Sequence, residues 1–376
     1  MENKFVPVCE PYLAGKEMEY VADCLATGWI SSAGKYVDEF ERQFANYCGA
    51  GYAVAVSNGT VALHLALVAL GIGKGDEVII PSFTMIASAV AVCYTGAMPV
   101  FVDAEKDSWN IDTSKIEEKI TSKTKAIMAV SIFGHPCDME ELWKLAEKYD
   151  LKVIEDAAES HGAEYKGKKT GNLADITTFS FFANKNITTG EGGMVLTNNE
   201  DLYNKVKYYK NLCFPLTAAR TYIHEDVGFN YRISNIHAAI GLAQVEKADE
   251  YKRLRIKNGE LYKKHLADIP GVTFQEIKPE VLNVYWMNGL VIDPNQFGKS
   301  RDEVMAFLKT QNIDTRTFFV GMHRQPALIK YGCDVSGSYP ITDWLASNGF
   351  YLPSASSLSE SDIERVCHTV RDFHNK

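Results

Sequence analysis

The stretch AVAVSNGTVALHLALVALGIGKGDEVIIPSFTMIASAVAVCYTGAMPVFVD, residues 53–103, contains three short apolar runs separated by helix-like segments. The runs AVAVS (53–57), DEVIIP (76–81) and PVFVD (99–103) have polar residues only at their ends, as strands that are buried on both faces of a sheet tend to have. VALHLALVAL (61–70) lies between the first two with helical spacing. This alternation predicts a parallel β-sheet covered by helices.

The same alternation continues further along the chain. AIMAVSIFG (126–134) and LKVIEDA (151–157) predict two more strands, and the amphipathic helix MEELWKLAEKYD (139–150) lies between them. Because ligands of such sheets bind at the carboxyl ends of the strands, we expect the functional residues to lie there.

The pattern changes after Asn230. IHAAIGLAQVEKADEYKRLRIK (236–257) predicts one long helix suited to linking two domains, and VYWMNGLVID (284–293) predicts a strand among amphipathic helices. We therefore predict a large α/β domain with a mixed, mostly parallel sheet over residues 1–254. A smaller α+β domain is predicted over residues 255–376.

Composition limits the class of protein. The 376 residues are 46% apolar and 23% charged, as in ordinary globular proteins, and the formal charge of −9 argues against the basic surface that nucleic acids require. The richest apolar stretch (61–72) is too short to span a bilayer, and the N-terminus lacks the pattern of a secretory signal. The eight cysteines have no metal-ligand spacing. We predict a cytoplasmic protein without a metal site and without a nucleic-acid or membrane partner.

The first candidate site is Ser57-Asn58-Gly59-Thr60, between a predicted strand and the helix that follows it. A helix N-terminus presents unpaired N–H groups and a positive dipole end, while Gly59 lets an anion approach the backbone and Thr60 adds a hydroxyl. These features indicate a phosphate site. The alternative is an ordinary helix cap, since Ser, Asn and Thr are common caps.

Two further candidates follow predicted strands. Asp156 ends a buried strand, where a carboxylate is costly unless it has a partner, although a helix cap is the alternative. Lys185 follows the apolar run TFSFF (178–182) and precedes a glycine-rich turn. An amine among aromatic rings is shifted toward the neutral form, which attacks aldehydes. A surface lysine at a strand end is the alternative.

A phosphate site, a carboxylate and an amine are together what pyridoxal phosphate requires for its phosphate, its pyridine nitrogen and its aldehyde. Their order, and several long motifs, resemble the DegT/DnrJ/EryC1/StrS family of pyridoxal-phosphate-dependent sugar aminotransferases, which have fold-type I. The resemblance is carried by VSNGTVALHLAL (56–67), FGHPCDM (133–139), VIEDAAESHGAEYKGKKTGNLADITTFSFFANKNITTGEGGM (153–194) and GFNYRISNIHAAIGLAQ (228–244).

The resemblance implies roles for individual residues. Lys185 is the implied catalytic residue, which holds the cofactor and moves protons. Met85 stands where family members commonly have a stacking aromatic ring, so weaker stacking is expected. Cofactor contacts are implied for Gly59, Thr60, Met85, Asp156, Glu159, Ser180, Lys185 and Asn230. Substrate contacts are implied for Ser31, Arg316 and His323, with a packed histidine as the alternative for the last.

The resemblance also implies partners and a reaction. Asn230 would reach the cofactor phosphate of a neighbouring subunit, which predicts a homodimer with shared active sites; a helix-entry role within its own subunit is the alternative. The implied reaction moves an amino group from L-glutamate to C4 of GDP-4-keto-6-deoxy-D-mannose and gives GDP-perosamine for the O-antigen of lipopolysaccharide. A dTDP- or UDP-linked sugar, or amination at C3, is the alternative.

Rival classes are weighed against the same residues. A sugar dehydratase of this fold has histidine in place of the lysine, so Lys185 argues against that activity. A dinucleotide-dependent oxidoreductase would need G-x-G-x-x-G after a strand, and the sequence has none there. A non-catalytic regulator of the same fold stays as an alternative, which an absorbance spectrum of the purified protein would test.

Overall fold

Helices and strands alternate along the chain as predicted. The computed structural model describes residues 4–217 and 221–376. The α-helices are α1 (Glu17–Thr27), α2 (Lys35–Cys48), α3 (Gly59–Ala69), α4 (Ala87–Tyr94), α5 (Met139–Tyr149), α6 (Glu200–Lys210), α7 (Asn235–Val245), α8 (Ala248–Leu266), α9 (Pro294–Phe297), α10 (Arg301–Thr310), α11 (Pro326–Tyr331), α12 (Pro340–Asn348) and α13 (Glu360–His374). The strands are β1 (Tyr52–Val56), β2 (Glu77–Pro81), β3 (Met98–Val102), β4 (Thr124–Val130), β5 (Lys152–Asp156), β6 (Glu164–Tyr165), β7 (Lys168–Lys169), β8 (Ile176–Ser180), β9 (Gly193–Thr197), β10 (Val272–Phe274), β11 (Val281–Leu282), β12 (Asn288–Ile292), β13 (Arg316–Thr317) and β14 (Gly349–Leu352).

The large sheet has seven strands in the order β1-β9-β8-β5-β4-β2-β3. Neighbours from β8 to β3 pair in parallel, whereas β9 is antiparallel to both β1 and β8. Strand β9 therefore runs against the other strands of this sheet, and the carboxyl ends of β1, β5 and β8 lie at one edge. The prediction of a mixed, mostly parallel sheet is confirmed.

Strand β2 illustrates how helices cover both faces of this sheet. Val78 and Ile80 pack in one apolar cluster with side chains of α3 and α4. Ile79, between them, packs in a second cluster that includes Leu142 of α5. Because alternate side chains point to opposite faces, a strand covered on both sides needs apolar residues at every position.

A second, four-stranded sheet has the order β10-β12-β14-β13, and each neighbouring pair is antiparallel. Helices α8, α10 and α13 pack with it in an apolar cluster. The N-terminal segment adds to this region, since Val6 forms a β-bridge with Ile313. The predicted domain boundary between residues 254 and 255 falls within α8 and stays a prediction.

Two elements predicted within residues 126–257 are wrong in their extent. The helix predicted over 236–257 is two helices, because the backbone leaves helical geometry at Lys247, where φ is −111° and ψ is 5°. The strand predicted over 126–134 ends at Val130, and a 3₁₀ turn follows in which Phe133 has a φ of 54°. The apolar run continues past the sheet edge because these residues are buried against side chains of the second sheet and its flanking segments rather than by strand pairing.

Neither membrane spans nor metal clusters are found among residues 4–217 and 221–376. None of the helices described there is long and apolar enough to cross a membrane. The same residues contain no group of three or more His, Cys, Asp or Glu side chains that could hold a metal ion.

Candidate active site

A cavity of about 940 Å³ lies at the carboxyl edge of the large sheet. It is lined by residues from the ends of β1, β5 and β8 and by residues that flank strands of the second sheet. Of the predicted site residues, it brings together Gly59, Thr60, Met85, Asp156, Glu159, Ser180, Lys185 and Arg316.

The predicted phosphate site is the N-terminus of α3. The side chain of Asn58 caps this helix by accepting a hydrogen bond from the amide of Val61 at 3.0 Å, so the cap interpretation is correct for Asn58. The amides of Gly59 and Thr60 follow in the first turn, where α-helical N–H groups have no acceptor within the helix. They lie at the positive end of an eleven-residue helix and line the cavity, which suits a phosphate.

Close packing makes glycine necessary beside this helix end. A Cβ atom on Gly59 would lie 2.6 Å from Cβ of Ser180, and one on Gly193 would lie 2.4 Å from the carbonyl oxygen of Asn58. Both distances are shorter than a non-bonded contact between carbon and another heavy atom allows. The α3 N-terminus can therefore approach the end of β8 only because these two side chains are absent.

Asp156 is the last residue of β5 and is 5% exposed. Its carboxylate accepts hydrogen bonds from the hydroxyl of Ser88 at 2.8 Å and from the amide of Ala158 at 3.3 Å. Burial raises its pKa, because the charged form loses water. No helix begins directly after Asp156, so the alternative role as a helix cap does not apply. A protonated nitrogen in the cavity would supply the compensating charge.

Lys185 is buried rather than exposed at a strand end, with 10% of its side chain accessible. Burial lowers the pKa of its amine, and the Glu159 carboxylate, 3.9 Å from Nζ, opposes this shift. The Nζ atom also lies 3.6 Å from the ring centroid of Trp286. A lysine in these surroundings is a candidate nucleophile toward an aldehyde.

Glu159 is held at a fixed position beside this lysine. Its carboxylate accepts a hydrogen bond from the amide of Phe133 at 2.8 Å. Burial raises the pKa of Glu159 to about 7, and the Lys185 ammonium partly counteracts that rise. A carboxyl group that is partly protonated near neutral pH can donate or accept a hydrogen bond to a ligand oxygen.

These residues fit pyridoxal phosphate. The crowded, glycine-dependent end of α3 offers N–H groups to a phosphate, the buried Asp156 calls for a cationic nitrogen, and the desolvated Lys185 offers an amine to an aldehyde. All three line one cavity.

Comparison with known proteins decides which activity this geometry serves. Residues 11–371 match the DegT/DnrJ/EryC1/StrS aminotransferase family. The chain belongs to this family. The resemblance predicted from the motifs is confirmed, as are the fold class, the aminotransferase activity and pyridoxal phosphate as cofactor.

Relatives in this family match over their full length. The chain is 46% identical to GDP-perosamine synthase of Escherichia coli O157:H7, over 99% of each chain. It is 45% identical to GDP-perosamine synthase of Caulobacter vibrioides, over 96% of each chain. The crystal structure of DesI in the presence of its TDP-sugar product has a TM-score of 0.91 and 30% identity, covering 100% of this chain and 94% of that one.

Three residues with predicted roles in this aminotransferase, Ser31, Asn230 and His323, lie outside the cavity lining. Ser31 is exposed between α1 and α2, and the side chain of Asn230 is exposed too. The segment of Asn230 adjoins the phosphate site, since the Tyr231 carbonyl accepts a hydrogen bond from the amide of Ser57 at 3.0 Å. The single chain therefore places Asn230 near the phosphate site without directing it into the cavity.

His323 is packed inside the protein. One ring nitrogen, Nδ1, lies 2.7 Å from the Ser82 hydroxyl, and the other, Nε2, lies 3.0 Å from the Asp343 carboxylate. The ring stacks on Tyr339 with centroids 4.3 Å apart. Both nitrogens have protein partners, so the geometry favours the packed alternative over a substrate contact.

Two residues beside the reacting groups of the aminotransferase were missed by the sequence analysis. Ser88, on α4, donates to Asp156, and Trp286 lies just before β12 and covers the amine of Lys185. Ser88 lies within the apolar helical run that follows SFT, where a lone serine gives a weak signal. Trp286 is about a hundred residues from Lys185 along the chain, and no local motif links the two.

Gly59→Ala is expected to weaken binding of pyridoxal phosphate by about tenfold or more, because the 2.6 Å contact with Ser180 forces the α3 N-terminus outward. The measurement is the dissociation constant from an absorbance titration of the cofactor-free protein. Gly73→Ala is the control, since a Cβ there meets nothing closer than 3.8 Å. Unchanged affinity in Gly59→Ala would contradict a phosphate site at this helix end.

Proposed function

We propose that this chain transfers the amino group of L-glutamate to C4 of GDP-4-keto-6-deoxy-D-mannose and so makes GDP-perosamine for O-antigen in the cytoplasm. The observation that carries the proposal is the buried Lys185 amine in one cavity with Asp156 and the α3 N-terminus. The two GDP-perosamine synthases that match end to end support the GDP-linked sugar.

When bound, pyridoxal phosphate supplies an aldehyde that accepts and returns an amino group, and a ring that delocalises negative charge. Asp156 would hold the pyridine nitrogen in its protonated state, because a buried carboxylate stabilises an adjacent cation. Glu159 would lie near the 3-hydroxyl group and Met85 against the ring. The phosphate would be held by Gly59, Thr60 and Ser180.

Lys185 performs the proton transfers in this proposal. Burial lowers the pKa of its Nζ atom and so favours the neutral form, which would remove the proton from the α-carbon of glutamate and deliver it to the neighbouring cofactor carbon. In the second half of the reaction, the same atom moves a proton in the opposite direction, onto C4 of the sugar. One lysine therefore acts as base and then as acid in each half.

Arg316 is the proposed contact to the nucleotide diphosphate. Arg316 lines the cavity and 60% of its side chain is exposed, although Nη1 also pairs with Asp314. Guanidinium groups bind phosphate oxygens through paired hydrogen bonds. A local cation is needed because the chain as a whole carries a formal charge of −9.

The proposed function is tested by incubating the enzyme with L-glutamate and each of a panel of GDP-, dTDP- and UDP-linked 4-keto-6-deoxyhexoses. The quantity measured is the rate at which 2-oxoglutarate forms. The GDP-linked mannose derivative is expected to give the highest kcat/KM, by about tenfold or more, a difference that one or two polar contacts to the base supply. A preference for dTDP or UDP would overturn the GDP assignment alone. Absence of 2-oxoglutarate with every sugar would favour the alternative of a non-catalytic regulator with the same fold.

We also propose a homodimer in which Asn230 completes the partner's active site. Support comes from the exposed apolar side chains on its segment, Tyr222, Ile223 and Val227, which are 83%, 77% and 89% exposed in the single chain. Apolar surface of this kind marks a protein interface. The polar, exposed Asn230 lies next to them in sequence and close to the phosphate site.

Mixing two inactive variants, Lys185→Ala and Asn230→Asp, is expected to restore activity toward about a quarter of the wild-type value. An aspartate would place a negative charge against the phosphate, so each variant alone is inactive. With shared sites, random exchange makes half of the dimers mixed, and each mixed dimer has one intact site. The measurement is activity after demonstrated subunit exchange. Without recovery, Asn230 acts within its own subunit.

A further inference from the structure

The indole ring of Trp286 lies against the Lys185 amine, and the sequence motifs do not account for this contact. The Nζ atom lies 3.6 Å from the ring centroid, whereas Oε1 of Glu159 is 3.9 Å away. An ammonium group within about 6 Å of a tryptophan face is attracted by the ring quadrupole, most strongly where water is excluded. Both side chains are buried here.

The protein holds this ring in place on several sides. The indole N–H donates to the carbonyl oxygen of Asn184 at 3.0 Å, so the ring is attached to the peptide segment that carries Lys185. The carbonyl oxygen of Trp286 accepts a hydrogen bond from the buried Arg255 at 3.0 Å. Phe133 stacks against the ring at an interplanar angle of 27°. These contacts fix the ring against the peptide segment that carries the lysine.

Other groups near the lysine do not replace this contact. Burial raises the pKa of Glu159, so the charge on this carboxyl group changes with pH. Asp156 is directed to the cofactor nitrogen in the proposed function. An indole ring has no proton to lose in this pH range, so its attraction for a cation is constant. The titratable groups that face Lys185 are Cys9, Asp156, Glu159 and His161.

We propose that Trp286 is a catalytic residue whose ring binds the ammonium form of Lys185 after the lysine has been released from the cofactor. When Nζ accepts a proton from the α-carbon of glutamate, it becomes a cation in a water-poor cavity, and the ring stabilises that cation until the proton is passed to the next carbon. The proton that leaves the α-carbon is the same one that reaches the next carbon, so the site as a whole neither gains nor loses a proton or a charge. The inference rests on the proposed role of Lys185 and adds a residue from the second sheet's side of the cavity.

The experiment measures the pKa of Lys185 directly in the holoenzyme. Incubation with L-glutamate and desalting leave the cofactor in its amino form, with the lysine side chain free. Reductive methylation with formaldehyde and cyanoborohydride across a range of pH then labels only neutral amines, and peptide mass spectrometry reports the rate at Lys185. The spectral change with glutamate is checked first, which tests the aminotransferase activity separately from this inference.

Trp286→Leu is expected to lower the pKa of Lys185 by about one unit and to raise its labelling rate at a fixed pH by up to about tenfold. Trp286→Phe keeps a weaker aromatic face and is expected to give a smaller shift. Trp143→Leu is the control, since Trp143 also donates its N–H to a backbone carbonyl, that of Leu173, but does not line the cavity. An unchanged or raised pKa in Trp286→Leu overturns the proposal.

A second measurement covers the case in which Trp286→Leu does not fold. Mono- and difluorotryptophan replace all five tryptophans with almost no change in shape, and fluorine withdraws electron density from the ring. The pKa of Lys185 is expected to fall stepwise with fluorination in the wild-type chain and to stay constant in Trp286→Phe. A constant pKa in both chains shows that the ring does not bind the cation and overturns the proposal.

Discussion

Lys185→Ala is expected to lower kcat for amino transfer by a factor of at least about 10⁴, because the variant loses both the amine that holds the cofactor and the group that moves the proton. The fold is expected to survive, since alanine relieves the burial of an amine whose pKa is already lowered by desolvation. Steady-state kinetics and thermal unfolding measure the two effects. Lys169→Ala is the matched control: Lys169 also lies over an aromatic ring, at 3.9 Å from Tyr47, but outside the cavity.

The same lysine can be identified by chemistry that does not depend on turnover. Borohydride reduction of the wild-type holoenzyme is expected to fix the cofactor to Lys185, and peptide mass spectrometry locates the attachment. Lys185→Ala is expected to release its cofactor on denaturation after the same treatment. Attachment to another lysine would contradict the assignment of Lys185.

Asp156→Asn is expected to retain the cofactor and to lose about 10² to 10³ in the rate of the glutamate half-reaction, since the amide cannot stabilise a protonated pyridine nitrogen. The hydrogen bond from Ser88 can still be accepted by the amide oxygen. Single-turnover absorbance kinetics measure the rate. Asp175→Asn is the control, because Asp175 accepts from the amide of Val153 at the opposite end of β5 and is absent from the cavity lining. A near-normal rate in Asp156→Asn would show a purely structural role.

Asp156→Asn is expected to raise the stability of the cofactor-free protein, although it lowers the reaction rate. Burial raises the folded-state pKa of Asp156, so ionisation costs the folded state free energy once the pH exceeds the unfolded pKa, near 3.9. The cost grows until the pH passes the raised folded value. Cofactor-free Asp156→Asn is therefore expected to unfold at a higher temperature than the cofactor-free wild type at neutral pH. A lower unfolding temperature would indicate that the ionised carboxylate has a stabilising partner.

The motifs that could be recognised in the sequence are those whose parts lie close together along the chain. Asp156 ends an apolar strand, Gly59 and Lys185 each follow one, and parallel strands bring their carboxyl ends to one edge of the sheet. Their convergence could therefore be predicted from the order of the strands. The cavity confirms that these three residues lie together.

Contacts between distant parts of the chain could not be predicted in this way. The run VYWMNGLVID predicts a strand over 284–293, but the strand begins at Asn288, and Tyr285 has a φ of 48°. That left-handed residue precedes Trp286, which lies against Lys185. A single sequence carries no signal for a tertiary contact of this kind, because it depends on how the second sheet packs on the first. His323 is a similar case, since its partners Ser82 and Asp343 come from separate elements.

The glycine that begins strand β9 has a further consequence for the register of the large sheet. Its first residue, Gly193, is paired with Val56 at the end of β1 on one side and with Ser180 at the end of β8 on the other. Strand β9 therefore lies between the strand that leads to the N-terminus of α3 and the strand that ends at Ser180. A one-residue slip would bring Met194 into the place of Gly193, where a side chain would strike the Asn58 carbonyl. Gly193 thereby excludes the wrong register of β9 against β1 and β8, and so keeps the N-terminus of α3 close to the end of β8.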